Sequence, residues 1–404
     1  MRHLPIQARV PDAAAAEHSR RLLDLIREKA TARGGPLPFD RYMELALYAP
    51  GLGYYVTGTR KLGPHGDFTT APELSPLFGA CIAAQCREVL EALGDGDILE
   101  FGAGSGALAA QILSTLADAA ALPRSYLILE LSPELRAHQQ RLLAEQVPEL
   151  LVHVRWLDRL PTRLRGCILA NEMLDAMPVH RFRIGADGKP QELFVRPTPN
   201  GLEEVAMEPR PELATALGRL QDQGLAVDPG YESELNLRLA PWLRALAETL
   251  ERGLILLIDY GYPRAEYYRD DRHRGTLLCH HCHRAHPDPY LYPGLQDITA
   301  HVDFTAVAEA GTQAGLRLAG FTTQAHFLIG CGLDHLLARV AAGPDAIMDA
   351  LLGAKQLVLP SAMGERFQVI GLDQDLSRDW AGFSFRDLRD RLDCLERVQR
   401  QSKN

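Results

Sequence analysis

Short apolar runs recur along the middle of the chain, and each one leads into a polar residue. Residues 98–101 carry Glu100, 126–131 carry Glu130, and 152–156 lead to Leu157-Asp158. Residues 167–170 lead to Asn171-Glu172-Met173-Leu174-Asp175, and 253–258 lead to Asp259-Tyr260-Gly261. Runs of this length without alternation read as strands buried on both faces. Helical stretches separate them. Ser132-Pro133-Glu134 supplies a cap, a first-position proline and a first-turn acid for a helix to about Gln146, and Ser75-Pro76 opens another to about Leu93. The alternation predicts an α/β protein with a parallel, doubly wound sheet. Residues 316–325 and 367–372 are expected to add an antiparallel edge.

Outside this core the pattern changes. Residues 17–32 and 39–48 read as helices, stopped by Gly34-Gly35-Pro36 and Pro50-Gly51. Residues 51–55 and 63–72 are punctuated as loops. Residues 179–250 form an insertion with a hairpin signal around Gly185-Ala186-Asp187-Gly188. Residues 262–300 are rich in Tyr, His, Arg and Pro, have little periodicity, and read as an ordered loop over the sheet edge. Residues 376–404 read as a polar, peripheral tail.

The 404 residues are 46% hydrophobic, enough for a large core. A net charge of −9 gives no general attraction for nucleic acid. No apolar run reaches the length of a membrane span, so no membrane insertion is expected. Seven scattered cysteines do not make a disulfide framework; reduced thiols and a cytoplasmic location are expected. Asp12, Glu17 and Asp24 among the early arginines speak against a transit peptide. Cys279-His280-His281-Cys282-His283 offers one C-x-x-C with no partner pair, half a structural zinc site, and no metal is expected.

The chemistry centres on Glu100-Phe101-Gly102-Ala103-Gly104-Ser105-Gly106. A strand, a glycine turn and a helix N-terminus make a seat for a nucleotide-like ligand. The spacing differs from the G-x-G-x-x-G of dinucleotide sites. An acid two residues before the first glycine suits a ligand with an ammonium group, such as S-adenosylmethionine. A dinucleotide site and a ligand-free turn remain alternatives at this point. Glu130 stands where a carboxylate accepts ribose hydroxyls, and Asp158 where an acid meets an adenine amino group. Leu131, Leu157 and Asn171 flank those positions.

Asn171 to Pro178 would face the transferred methyl group. Carboxylates there, Glu172 or Asp175, suit a cationic acceptor, because a guanidinium keeps its charge and offers five N–H donors. A helix-capping acid is the alternative.

Five segments occur together in order: 66–75 (Gly-Asp-Phe-Thr-Thr-Ala-Pro-Glu-Leu-Ser), 100–106, 171–178, 259–261 and 296–304. Together they resemble the MidA-like family of class I methyltransferases over roughly residues 20–375. The resemblance implies S-adenosyl-L-methionine as cofactor and a Rossmann-like sheet with an antiparallel edge. It implies a helical N-terminal segment (1–95) with a loop through Phe68, Thr69 and Thr70 covering the cofactor. It further implies a methyltransferase core (96–178 and 251–375) and an inserted lid (179–250). Mitochondrial members are protein arginine methyltransferases that assist assembly of respiratory complex I, so the implied partner is a protein bearing an arginine, symmetrically dimethylated. A homodimer is compatible with this. Glu234 matches the family's acidic stretch as a second acid on the acceptor. Asp297 and His301, four apart, are expected on one helix face, with His301 at the site; anchoring of the loop alone is the alternative. The rival readings are a small-molecule methyltransferase and a non-catalytic assembly factor.

Overall fold

The computed structural model describes residues 11–57, 70–282, 284–339 and 343–392. The chain forms two compact units, each assembled from three stretches. Residues 69–174, 239–264 and 302–404 make the larger, and 1–68, 175–238 and 265–301 the smaller.

The larger unit is built on an eight-stranded sheet, seven strands of which lie side by side while the short Val302–Asp303 pairs with the end of one of them. The seven are β1 (Asp97–Phe101), β2 (Ser125–Leu129), β3 (Val154–Leu157), β4 (Leu164–Asn171), β5 (Leu250–Tyr262), β6 (Arg317–Thr323) and β7 (Phe367–Gln374). They lie in the order β3-β2-β1-β4-β5-β7-β6. The first five are parallel; β7 runs antiparallel to both its neighbours β5 and β6, so β6 points the same way as the first five and the expected antiparallel edge reduces to β7. Every residue of β1 is buried, which is why its sequence does not alternate. Helices α1 (Pro76–Leu93), α2 (Ala107–Asp118) and α3 (Pro133–Gln146) follow the expected start signals. The Ser75 and Ser132 hydroxyls accept from the Leu77 and Leu135 N–H groups. Phe78, Ile82 and Val89 of α1 share a core with Ile112 and Leu113 of α2 and Ile98 of β1.

The chain beyond residue 375 departs from expectation. Trp380 and Phe383 are buried, and the Trp380 indole N–H donates to Asp373. Side chains at Gly320 and Gly371 would meet the Phe383 ring at 2.2 and 2.7 Å. Two adjacent glycines thus leave an aromatic-sized recess on the antiparallel pair β6 and β7, and this segment fills it.

The smaller unit holds a five-stranded antiparallel sheet. Pro190–Thr198 pairs with Leu37–Pro38, His180–Ile184 and Gly201–Met207, and Glu232–Leu235 adds to His180–Ile184. The hairpin across 185–188 is the expected one. Residues 262–300, expected as a loop, contain a second small sheet of Leu278–His281, Arg284–His286 and Asp297–Thr299. Cys279 and Ile298 on it are fully buried with Phe39, Tyr42 and Ile26 from the helices Phe39–Tyr48 and Ala13–Arg33. Its strands carry only one or two apolar residues each, too few to register as periodicity.

Candidate active site: a glycine cradle and a strained acidic turn

In the larger unit the chain leaves β1 toward β2 on one side and β4 toward β5 on the other. Open α/β sheets bind ligands at the strand C-termini where the order reverses in this way. The glycine turn follows β1, and Asn171-Glu172 follows its neighbour β4.

Gly102, Gly104 and Gly106 have φ of 59°, 54° and 91°. All three need a conformation that L side chains rarely adopt. Around Gly102 the nearest atom to an added Cβ would be Met173 Cγ at 3.9 Å, so the turn leaves room for a ligand. Ala103 between them is buried. Gly104→Val places a β-branched residue in the left-handed region, costing about 1–3 kcal/mol locally, and would project into the space a ligand on this turn is expected to use. The expected result is loss of calorimetrically detectable S-adenosylmethionine binding with the far-ultraviolet dichroism of the native fold.

Glu100 is buried and accepts the Tyr126 hydroxyl at 2.7 Å; burial pushes its carboxyl up to about 7. Glu130 is also buried, and burial raises its pKa. Its oxygens accept from the Ser132 N–H (2.9 Å) and the Gln139 amide (2.9 Å). Beyond it, Leu131, Arg136 and Asp158 line a cleft of about 170 Å³. Leu131 is 66% exposed, unusual for leucine. Asp158, an exposed acid, pairs with Arg136 at 2.7 Å, and Arg136 also donates to the Leu157 and Glu130 carbonyls. These groups fit an adenosine: a carboxylate for hydroxyls, an apolar shelf and a polar rim.

After β4 the backbone turns sharply. Glu172 has φ 51°, a strained value for a side chain with a Cβ. Its N–H donates to the Ile258 carbonyl, and its carboxylate accepts from the Asn171 amide (3.2 Å) and the Ala71 N–H (3.4 Å). Asn171 Oδ1 is buried with no partner among the described residues. Asp259, fully buried, accepts the N–H groups of Met173 (3.1 Å), Leu174 (2.9 Å) and Tyr260 (2.9 Å). Thr70 precedes a short helix at Ala71–Leu74, and its N–H donates to Glu73. Phe68 and Thr69 lie outside the described residues.

The other expected acceptor-side residues belong to the smaller unit. Asp175 is buried, its carbonyl accepts the Ala300 N–H, and its charge raises the pKa of Tyr55 after burial and Asp297 have done so. The Tyr55 hydroxyl donates to Asp297 at 2.9 Å. Glu234 is buried and accepts from the Thr276 N–H (2.9 Å) and hydroxyl (3.2 Å). Its other oxygen has no hydrogen bond among the described residues. Burial raises its pKa, while Arg181 lowers it.

Asp297 and His301 are not on a helix. Asp297 opens the strand Asp297–Thr299, and His301 follows it. Four-residue spacing carries no helical meaning here, because pairing of Leu278 with Thr299 and His280 with Asp297 extends the backbone.

Burial, with Arg272 nearby, pushes the His301 imidazole down to about 4, so the folded protein holds it neutral. The unfolded chain then binds the extra proton between about pH 6.5 and 4, so His301 contributes stability above pH 6.5 that is lost as pH falls through 4, about 3 kcal/mol in all. Glu100, raised to about 7, acts in the opposite sense: the folded form keeps a proton that the unfolded chain has released. The difference between the urea-unfolding free energies of the wild type and His301→Gln therefore isolates the histidine. It is expected to grow between pH 4 and 6.5 and to be flat above.

Among the described residues, one group of three could hold a metal: Asp40, His180 and Glu192. Arg210 already pairs with both of its acids, at 2.7 and 2.6 Å. Cys279 is a core residue whose thiol burial holds well above the usual range. Cys282 lies 3.6 Å from His281 Nε2. His283 lies outside the described residues.

Sequence reading missed Gln139, Asp259, Arg136 and Tyr55 as site residues. A signal existed for Gln139, which sits between Leu135 and Leu143 at helical spacing on the buried stripe of α3. A polar side chain there must find partners.

The sheet order, the glycine cradle and the acid after β2 are those of a class I S-adenosylmethionine-dependent methyltransferase. Residues 81–322 match the model of a family described as S-adenosyl-L-methionine-dependent methyltransferases, and the chain belongs to that family, the MidA-like methyltransferases. A Burkholderia thailandensis protein solved with S-adenosyl-homocysteine bound is 41% identical, with a TM-score of 0.90 over 95% of this chain and all of that one. The mitochondrial protein arginine methyltransferase NDUFAF7 of Danio rerio is 29% identical over 83% of this chain and 82% of its own. The human protein of that name is 27% identical over 84% and 80%.

The NDUFAF7 relatives overturn the cytoplasmic expectation, since they are named mitochondrial. The expectation rested on free thiols, which the described cysteines are, but thiols report a reducing compartment and not which one. Among the described residues no helix is long and apolar enough to cross a membrane.

Proposed function

We propose that this methyltransferase acts on a protein, symmetrically dimethylating an arginine side chain, with a respiratory complex I subunit as the implied acceptor. Two things support the reading: the names of the relatives, and the strained acidic turn at Glu172. Backbone strain persists where the surrounding structure over-determines it, and it concentrates at functional sites. The single observation that carries the proposal is the left-handed Glu172 at the switch point of the sheet.

S-adenosylmethionine supplies an electrophilic methyl group when bound. The chain's residues do the rest. Gly102, Ala103, Gly104 and Gly106 form the turn that would seat the cofactor, with Glu100 behind it. Glu130 would accept ribose hydroxyls, Leu131 and Leu157 would border the base, Asp158 would meet its amino group, and Asn171 would offer its buried oxygen. Phe68, Thr69 and Thr70 are assigned to the cover. Glu172 would pair with the guanidinium and orient it for transfer, so its main contribution would be orientation. Asp175, Glu234 and His301 are assigned to the acceptor's side. Neutral His301 adds no positive charge against a cationic acceptor.

The test is transfer of labelled methyl groups to a lysate from cells lacking this protein, then mass spectrometry of any labelled protein. Label on symmetric dimethylarginine is expected. Label confined to a low-mass acceptor would sink the proposal in favour of a small-molecule enzyme.

A further inference from the structure

Gln139 belongs to no expected part of the site, yet it touches two of them, the glycine turn and Glu130. It is fully buried on α3. Its amide nitrogen donates to the Gly104 carbonyl in the glycine turn (3.0 Å) and to Glu130 Oε2 (2.9 Å). Its amide oxygen accepts the Trp156 indole N–H from β3 (3.0 Å). An indole nitrogen can only donate, so it fixes which end of the amide is oxygen. The NH2 group must then face two acceptors, and its two hydrogens match them one to one. Gly106 packs against the same residue: a side chain there would meet Gln139 Cα at 3.3 Å.

This arrangement has a consequence for Glu130. The protein holds both carboxylate oxygens, Oε1 through the Ser132 N–H and Oε2 through the Gln139 amide, and the Leu131 N–H also bears on the carboxylate. The group is thereby fixed in orientation, with its remaining lone-pair directions set for further donors. Two neighbouring hydroxyls on one ring are the donor pair that such a carboxylate fits.

We propose that Gln139 is a positioning residue for the cofactor: it locks Glu130 to the glycine turn and so makes binding depend on both ribose hydroxyls. The inference rests on the assignment of Glu130 to the ribose.

The experiment measures Kd by calorimetry for S-adenosyl-homocysteine and for its 2′-deoxy analogue. The proteins are the wild type, Gln139→Met, Glu130→Gln and the double variant. Methionine keeps the length and loses every hydrogen bond. The wild type is expected to prefer the ribose ligand by about tenfold or more. In Gln139→Met the preference falls toward one, and adding Glu130→Gln costs little further, because both changes remove the same interaction. A uniform loss for both ligands with the preference intact, or strict additivity with Glu130→Gln, would mean that Gln139 is only packing and would overturn the proposal. No preference in the wild type would instead overturn the ribose assignment of Glu130, and the proposal with it. Should Gln139→Met not fold, Gln139→Leu removes the same hydrogen bonds with a side chain that has no donor or acceptor. It is expected to show the same collapse of the preference, and a retained preference counts against the proposal equally.

Discussion

Glu172→Gln is expected to leave S-adenosylmethionine affinity within a fewfold of the wild type and to lower methyl transfer by about 10²–10³-fold. Glutamine has the same shape and can accept from the Asn171 amide and the Ala71 N–H as the carboxylate does. The turn, held by the Glu172 N–H on Ile258 and by Asp259, is therefore expected to survive. What is lost is the charge that pairs with a guanidinium and fixes its nitrogen along the line of transfer. Calorimetry gives the affinity, and single-turnover transfer to the identified acceptor gives the rate. Near-normal transfer would remove Glu172 from the acceptor. A fall in affinity matching the fall in rate would move it to the cofactor side.

Asp259→Ala is expected to lower the unfolding free energy by about 3 kcal/mol or more. The carboxylate accepts three backbone N–H groups in a fully buried place, and each orphaned donor costs about 1–3 kcal/mol. The loss is expected as a lower denaturant midpoint in equilibrium unfolding. The same change releases the peptide groups after Glu172, so the left-handed residue loses part of what holds it. A midpoint equal to that of the wild type would show that water or the relaxed turn satisfies those donors.

What could be read from the sequence was what depends on neighbours in the chain. The glycine turn, Glu130 and Asp158 were visible because an apolar run, a stop and a polar residue are adjacent letters with one physical meaning. Helix starts at Ser75-Pro76 and Ser132-Pro133 were visible for the same reason. Gln139 and Asp259 were not visible as site residues, because their partners lie elsewhere in the chain: Gly104 is 35 residues from Gln139, and Met173 is 86 from Asp259. The pairing of Asp297–Thr299 with Leu278–His281 is set across a sheet, so four-residue spacing misled. The burial of Trp380 and Phe383 depended on the absence of side chains at Gly320 and Gly371, which no local pattern announces.

The division of each unit into three stretches bears on how the protein is made. The growing chain passes between the units five times before it ends. The last strand of the large sheet, Phe367–Gln374, is inserted between β5 and β6 and is not added at a free edge. A ribosome must therefore release the chain through residue 374 before that sheet can close, while β5 and β6 wait with unpaired backbone groups. Unpaired strand edges in an incomplete fold invite association with other chains. Yield in cells is thus expected to depend on holding chaperones during synthesis, and neither unit can be produced as one uninterrupted fragment.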